Sequence, residues 1–183
     1  MMIILVVLVV IVLWAIISFN SFVSLRNRTK EAWADIEVQL KRRYDLIPNL
    51  VNTVKGYATH ESTVFDNVSQ ARARAMSSGG TSEAHAQAEN MLTGALKSVF
   101  AIAEAYPELK ANTNFLSLQA ELSDTENKVQ ASRRFYNANV RDLNTKIEMF
   151  PNSLIAKMGN FSKMEFFDIP DDGVESKPVE VKF

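Results

Sequence analysis

The first nineteen residues contain no charged side chain and only one hydroxyl group, that of Ser18. As a helix rising about 1.5 Å per residue, Met1 to Phe19 would extend roughly 28 Å, close to the hydrocarbon thickness of a bilayer. Trp14 has the amphipathic ring that favours a membrane interface. The segment therefore predicts one transmembrane helix, and residues 1–20 are expected to form a membrane anchor.

Two other interpretations of this segment fit less well. A secretory signal peptide has a positively charged start and a cleavage site of small residues. Neither pattern occurs here, because no Lys or Arg precedes the apolar run and no A-x-A follows it. A buried core helix would normally have a polar stripe, and this segment has none.

Basic residues after the apolar run predict its orientation. Arg26, Arg28 and Lys30 follow the segment closely, whereas no Lys or Arg comes before it. Positive charge beside a span is retained in the cytoplasm, so we expect the N-terminus outside and the remaining chain in the cytoplasm. The same three residues would also attract anionic lipid at the membrane surface. Cytoplasmic retention of positive charge and lipid binding therefore predict the same three residues, and the sequence does not separate the two roles.

The composition of the remaining chain is typical of a helical protein. It has few helix breakers, with six glycines and five prolines in 183 residues. The absence of cysteine excludes disulfides, thiol catalysis, zinc ribbons and iron–sulfur clusters. A net charge of −1 gives no electrostatic reason to expect nucleic acid as a partner.

Apolar residues at steps of three and four predict one helical arm over residues 20–76. Pro48 is its one interruption, and it predicts a kink or a short break near residues 46–49. Ser77–Gly80 is the clearest turn in the chain, with Thr81 or Ser82 as a cap for the next helix. The predicted apolar stripe of that helix, over residues 82–105, is Ala84, Ala88, Met91, Ala95, Val99 and Ile102.

The last long helix is predicted over residues 113–149, with Asn112 or Thr113 as its cap. Its apolar positions form a heptad seam with one stutter at 132–140. The seam comprises Phe115, Leu118, Leu122, Thr125, Val129, Ser132, Tyr136, Val140, Leu143, Ile147 and Phe150. Pro151 stops the helix, and residues 153–158 are expected to form a short helical turn.

These patterns predict an all-α fold in which the transmembrane helix continues into a long antiparallel bundle. The cytoplasmic bundle is expected over residues 21–158, followed by a tail over 159–183 that has six acidic residues and three lysines. This tail either packs through its aromatic residues or forms a flexible acidic end. The segment from Phe161 to Asp172 is the candidate docking segment for a partner.

Two polar clusters on the predicted helices are candidates for interaction. The first comprises Lys41, Arg42, Arg43 and Tyr44 beside Pro48, and a solvated helix face with local ion pairs is its favoured interpretation. The second lies around the stutter and comprises Arg133, Arg134, Tyr136 and Asn137. Polar groups beside a heptad seam either fix the register or bind a ligand, and register is favoured here.

No residue pattern indicates a catalytic, cofactor or metal site. His60-Glu61 begins like a zinc-protease motif, but Val64 stands where the second histidine is needed. His60 and His85 are both expected to be solvated on the surface. The carboxylates are scattered on solvated helix faces, whereas acid–base catalysis needs two held in one pocket. The chain is therefore expected not to be an enzyme and to bind no cofactor.

Several stretches of sequence together resemble the LemA family, over roughly residues 10–168. They are residues 38–51 (VQLKRRYDLIPNLV), 54–61 (VKGYATHE), 106–112 (YPELKAN), 115–116 (FL), 133–137 (RRFYN), 145–147 (TKI) and 150–151 (FP). The resemblance implies a bacterial inner-membrane protein with a cytoplasmic helical domain. It implies no catalytic residue.

The resemblance, together with the helical pattern, gives two functional hypotheses. LemA proteins resemble the magnetosome Q protein, which implies a membrane-anchored scaffold that self-associates into homo-oligomers and organises or shapes the bilayer. Their genes lie near those of membrane metalloproteases, which implies the alternative of an adaptor that binds another membrane protein, an envelope-stress protease or sensor.

Overall fold

The predicted all-α class is confirmed in a computed structural model that describes residues 1–78 and 82–167, without the side chains of residues 82 and 83. The described ranges contain six helices and no strand. They are α1 (Met2–Lys55), α2 (Ser62–Ser77), α3 (Ser82–Ala105), α4 (Pro107–Lys110), α5 (Thr113–Glu148) and α6 (Asn152–Met158).

Four of the helices form a bundle in which neighbours along the chain run in opposite directions. The antiparallel pairing of α1 with α5 is the most extensive contact. It extends from Ser18, which donates to Asn152 just beyond α5, to Tyr57, whose hydroxyl oxygen accepts from Asn112 just before it. Helices α2 and α3 form a hairpin on the same bundle, since they pack against each other and both contact α1.

The helical arm predicted over residues 20–76 is divided into two helices. Helix α1 ends at Lys55, and α2 begins at Ser62 and turns back along α1. Ala58, in the connection, is fully buried, so this turn is part of the core. The arm prediction was wrong because the apolar spacing on the two helices happens to continue across the turn.

The break predicted at Pro48 is also absent, because α1 is helical from Met2 to Lys55. A proline in a helix leaves the carbonyl four residues earlier without its N–H donor, and here that carbonyl belongs to Tyr44. The Nε of Arg72, on α2, donates to the Tyr44 carbonyl oxygen at 2.8 Å. A side chain from the neighbouring helix therefore replaces the missing backbone donor.

Helix α5 follows its predicted boundaries and most of its predicted seam. The Oδ1 of Asn112 accepts from the backbone N–H of Phe115 at 3.0 Å, which confirms the predicted cap. The buried residues of α5 all lie on the seam: Phe115, Leu122, Thr125, Val129, Tyr136, Val140 and Leu143. Phe150 was predicted wrongly, because the helix ends at Glu148 and the turn that follows leaves this side chain 80% exposed.

The apolar stripe predicted for α3 is rotated by about one residue from the observed one. The buried residues are Ala86, Glu89, Leu92, Leu96, Val99 and Ala103, whereas Ala84 and Met91 are exposed. The prediction used apolar residues alone, and the buried face includes a glutamate. The predicted stripe was therefore placed on the wrong face of α3, because Glu89 was not counted among the buried residues.

The apolar start of α1 extends beyond the bundle. Residues 1–13 are exposed, and burial against other elements begins with Trp14 and Ala15, which pack on a core cluster around Phe22. By length and composition α1 is the one helix among the described residues that could cross a membrane, with a mean hydropathy of 3.3 over its most apolar window. Helix α6 packs on α1 where this apolar segment meets the bundle.

Candidate functional site

Arg43 lies in the centre of the bundle and is only 3% exposed. Its Nη1 donates to Glu89 Oε2 at 3.1 Å, and its Nη2 donates to Thr93 Oγ1 at 2.6 Å. A second ion pair joins Nη2 to Glu126 Oε2 at 3.3 Å. These contacts, called here the Arg43 network, tie α1 to α3 and α5. The interpretation of Arg43 as part of a solvated face is therefore wrong.

Tyr44 belongs to the same network, since its hydroxyl donates to Oε1 of Glu89. Burial, reinforced by the hydrogen bond and the negative charge of Glu89, raises the pKa of the Tyr44 phenol far above its usual value. The ring is thus kept neutral, and Glu89 receives donors on both carboxylate oxygens. Because the buried charges of Arg43 and Glu89 are paired with each other, the network joins helices inside the bundle.

Glu89 was missed by sequence reasoning, although a signal was present. It lies three residues after Ala86 and three before Leu92, both fully buried. A single acid at helical spacing within an apolar stripe, with an arginine on another core helix, indicates a buried ion pair. Burying either charge alone would be strongly unfavourable.

A cleft of about 440 Å³ opens beside the Arg43 network, between α3 and α5. Its lining is mixed, with Leu96, Phe100 and Leu122 next to Lys97, Gln119, Ser123, Glu126, Asn127 and Gln130. In the part of the chain that the structure describes, no group of three or more His, Asp or Glu residues has the arrangement of a metal site.

The second polar cluster holds a segment of the chain's own C-terminal region. Residues 161–167, called here the strap, run back along α5. Asn144 donates to the carbonyl of Met164 and accepts from its N–H, both at 2.9 Å. Asn137 makes the same pair of bonds with Phe167, at 3.2 and 2.9 Å. Tyr136 donates to the carbonyl of Glu165 at 2.9 Å.

The strap ends in an aromatic cage that encloses Phe167 completely. The Phe167 ring lies 5.6 Å from Trp33 and 5.8 Å from His85, and the guanidinium of Arg133 lies 5.1 Å from its centre. His85 Nδ1 contacts the Ser78 carbonyl oxygen at 2.9 Å. His85 is therefore half-buried and was predicted wrongly as a solvated residue, whereas His60 is exposed as predicted.

The sequence left two alternatives for the tail, packing through its aromatic residues or a flexible acidic end. The part of the tail that the structure describes, residues 159–167, packs through its aromatic residues. Phe161 and Phe167 are buried in the bundle, and Phe166 is partly exposed. Within the docking segment proposed from sequence, two aromatics are thus occupied by the chain itself. Residues 168–183, including Ile169 and most of the acids of the tail, lie outside the described residues.

The remaining candidates of the two polar clusters lie on the surface. Lys41 and Arg134 are exposed. Arg42 forms an exposed ion pair with Asp124 of α5 at 3.7 Å. Lys128 lies closer, at 2.8 Å, and its hydrogen bond lowers the pKa of Asp124. These exposed pairs match the solvated interpretation and contribute little to stability.

Arg26, Arg28 and Lys30, the three basic residues nearest the apolar segment, are exposed. The guanidinium of Arg26 lies 5.2 Å from the centre of the Phe161 ring. Arg28 lines a cleft with Glu31, Asp35, Phe135 and Asn139. The Lys30 side chain has no ion pair or hydrogen bond among the contacts of the described residues.

The structure adds Lys146 of α5 to this basic end of the bundle. Its ammonium group contacts Ser21 Oγ and lies 5.0 Å from the centre of the Phe22 ring. Partial burial lowers the pKa of Lys146. Sequence reasoning missed this lysine because it lies more than a hundred residues from the apolar segment.

Comparison with known proteins gives three informative relatives. The chain is 23% identical to the magnetosome protein MamQ of Magnetospirillum gryphiswaldense over an alignment of 174 residues, and the aligned region covers 81% of this chain and 64% of that protein. MamQ 1 of Paramagnetospirillum magneticum matches at the same identity and coverage. Protein LemA of Metamycoplasma hominis is 26% identical over 141 residues, which cover 75% of this chain and 63% of the relative.

The chain thus spans less than two thirds of the length of these curated relatives. The sequence profile of the LemA family matches residues 32–183, a range that includes the Arg43 network, the aromatic cage and the strap. The match covers most of the chain and follows the apolar segment. The chain belongs to the LemA family.

Proposed function

We propose that this protein is a non-enzymatic, membrane-anchored helical scaffold that self-associates at the bacterial inner membrane and organises or shapes it. The observation that carries the proposal is the continuity of α1. One unbroken helix of 54 residues contains both the candidate membrane span and the buried residues from Phe22 to Val54 that pack in the core of the bundle. At about 1.5 Å per residue it is roughly 80 Å long.

Continuity matters because it couples the bundle to the bilayer mechanically. A flexible linker would let the span tilt and rotate independently of the bundle. Here α1 passes from the apolar segment into the core through Phe22, which is fully buried, and Thr29, which is also fully buried. Any contact that fixes the orientation of one bundle against another therefore also fixes the orientation of their spans.

The distribution of basic residues supports a cytoplasmic position for the bundle. Lys146 is brought to the same end of the bundle as Arg26, Arg28 and Lys30. Positive charge close to a span favours the cytoplasmic side. The N-terminus would then lie outside the membrane, as the sequence predicts.

An exposed phenylalanine supports self-association. The Phe135 side chain is 57% exposed on α5 and lines a cleft of about 410 Å³ together with Arg28, Glu31 and Asp35. A surface that has positive and negative side chains around an aromatic residue can be complementary to the same surface on a second copy of the chain, related by a two-fold axis. Aromatic residues are also enriched at the centres of protein interfaces.

The adaptor function remains the second candidate. Its sequence argument used the aromatic residues of the tail, and Phe161 and Phe167 are packed inside the bundle. Phe166 is the aromatic residue of the strap that stays available to a partner. A partner that bound the strap would have to displace contacts that the chain makes with itself.

The assembly state of the full chain in lipid tests the proposal. The protein is reconstituted into bilayers, and its mass distribution and symmetry are measured by light scattering and electron microscopy. We expect oligomers that dissociate when Phe135→Glu is introduced. Leu116→Glu is the matched control, because Leu116 is similarly exposed, at 47%, and lies near the N-terminal end of α5, away from Phe135.

A monomer at every concentration, together with no crosslinks in cells, would rule out the scaffold. If Leu116→Glu disrupts the oligomer and Phe135→Glu does not, self-association uses another surface. Co-purification of a stoichiometric membrane protein with a monomeric chain would favour the adaptor instead.

A further inference from the structure

The connection between α5 and α6 presents a stripe of exposed apolar side chains. Phe150, Leu154 and Met158 follow one another at intervals of four residues and are 80%, 53% and 85% exposed. Met149, next to them, is also more than half exposed. Leu154 and Met158, four residues apart in α6, lie on one face of that helix, and Phe150 lies in the turn before it. An exposed apolar patch of this kind marks a contact with an apolar partner.

The exposed stripe is not the face that attaches α6 to the bundle. That face is formed by Ile155 and Ala156, which are buried in a cluster with Phe22, Leu143 and Phe161. Helix α6 is therefore apolar on two sides. One side packs into the protein, and the other has no contact within the described part of the chain that buries it.

The position of α6 along α1 indicates what covers the exposed side. Ser18, inside the uncharged segment, donates to Asn152 Oδ1 at 2.8 Å. Trp14 and Ala15, deeper in the same segment, pack against the cluster that contains Ile155. From Asn20 to Trp14 a helix rises about 9 Å. Helix α6 thus lies beside residues that a bilayer would surround.

The surface between α6 and α1 is also apolar. A cleft of about 360 Å³ separates them, with Ile16, Phe19, Ile155 and Met158 among its lining residues. Gly159 also lines it. This cleft continues directly into the exposed apolar surface of α1, so both would meet the same surroundings.

We propose that residues 149–158 form a second membrane contact, a short wedge that inserts among the lipid chains of the leaflet facing the bundle. The inference rests on the proposed insertion of α1 but not on self-association. Phe150, Leu154 and Met158 contact hydrocarbon, as the apolar face of an interfacial helix does at depths of about 5–10 Å. Lys157, which is exposed near the end of the wedge, would extend its ammonium group towards the headgroups.

The wedge adds a physical property that a single span lacks. A lone transmembrane helix displaces equal area in both leaflets, whereas α6 displaces lipid in one leaflet only. Each copy of the chain is therefore asymmetric across the membrane. The charge pattern fits this placement, because the described stretch from Met149 to Gly159 contains Lys157 and no acidic residue.

Site-directed spin labelling tests the wedge, and the chain is suited to it because it contains no cysteine. Full-length protein with Leu154→Cys is labelled and reconstituted into vesicles of phosphatidylethanolamine and phosphatidylglycerol. Power saturation then measures collision with oxygen, which concentrates in hydrocarbon, and with a polar nickel chelate, which hydrocarbon excludes. Phe150→Cys and Met158→Cys are measured in the same way.

Two other positions serve as references. Leu116→Cys replaces a leucine of similar exposure near the far end of α5, and Val9→Cys lies within the apolar segment of α1. We expect the oxygen-to-nickel ratio at Leu154 to exceed that at Leu116 by roughly tenfold and to approach that at Val9. A high ratio at all three wedge positions supports the inference.

Three results would overturn it, and they are distinguishable. Nickel access at Leu154 equal to that at Leu116 means that the stripe faces water. Low access for both reagents at Leu154 means that a second protein surface, such as another copy of the chain, covers it. A low oxygen-to-nickel ratio at Val9 means that α1 itself is not inserted in the bilayer, and the proposed anchoring then fails together with the wedge.

Discussion

The contact between Arg72 and the Tyr44 carbonyl explains how α1 passes through Pro48 without ending, and it predicts a measurable coupling. Replacing Arg72 with methionine keeps an apolar stem of similar length and removes the donors. A hydrogen bond from a charged donor contributes about 1.5–3 kcal/mol. We expect Arg72→Met to lower the free energy of unfolding by about 2 kcal/mol, which corresponds to a fall in Tm of roughly 4–8 °C.

Pro48→Ala supplies the backbone N–H that the Tyr44 carbonyl lacks. In that background the guanidinium is no longer the only donor for the carbonyl, so Arg72→Met should cost less, by about 1 kcal/mol. Unfolding of the full chain in mild detergent, followed by tryptophan fluorescence, gives the four values of the double-mutant cycle. Trp33 reports the core because its ring packs 5.3 Å from that of Tyr136.

The control is Arg74→Met, which removes an exposed arginine from the same helix. It should change stability little and show no coupling with Pro48→Ala. Independent sites add within about 0.3–0.5 kcal/mol. If Arg72→Met and Pro48→Ala are additive within that limit, Arg72 does not replace the missing donor and the explanation is refuted.

Three further predictions concern the Arg43 network, the strap and α6. Between pH 10 and 11 the unfolding free energy should fall by up to about 1.4 kcal/mol more in wild type than in Tyr44→Phe, because the raised Tyr44 pKa keeps its proton in the folded state only. Asn144→Asp removes the donor to Met164 while keeping the acceptor, and should speed amide exchange at Met164 by about tenfold. Gly159→Ala places a Cβ 2.5 Å from the Phe161 ring and should lower stability by about 1–3 kcal/mol in thermal unfolding.

Each of these has a matched control in the chain. Tyr57→Phe alters an exposed tyrosine, so an equal alkaline difference there would remove the case for Tyr44. Asn139→Asp affects a residue that bonds only its own helix, and exchange at Met164 should stay unchanged. Gly94→Ala has nothing within 4 Å of the added atom and should stabilise the chain by about 0.5–1 kcal/mol. Loss of stability there would refute the steric argument.

The sequence correctly predicted features that depend on local patterns. The uncharged segment of α1, the cap at Asn112 and the seam of α5 follow from side chains close to one another along the chain. The predicted stripe of α3 failed because burial of Glu89 depends on Arg43, which lies 46 residues away. The buried face of a helix can be predicted from its apolar residues alone only where that face contains no buried ion pair.

The polar residues near the stutter show the same limit. Sequence reasoning singled out Asn137 and favoured a role in helix register. Asn137 and Asn144 instead bind backbone groups of the strap, at sequence separations of 30 and 20 residues. The carboxamide of an asparagine offers an NH2 donor group and a carbonyl acceptor side by side. It can therefore pair with the backbone of any segment that is brought to it, and the sequence does not say which segment that is.

By itself the sequence determined that this chain is helical, that its first helix is apolar enough to cross a membrane and that its last long helix has one buried seam. Those properties follow from composition and periodicity, which act within a few turns of helix. Only the tertiary structure decided that α1 continues through Pro48, that Arg43 is buried and that α6 lies beside the apolar segment. Each of these depends on a partner far away in sequence, namely Arg72, Glu89 and Ser18, and long-range contacts of this kind form only when the whole bundle is folded.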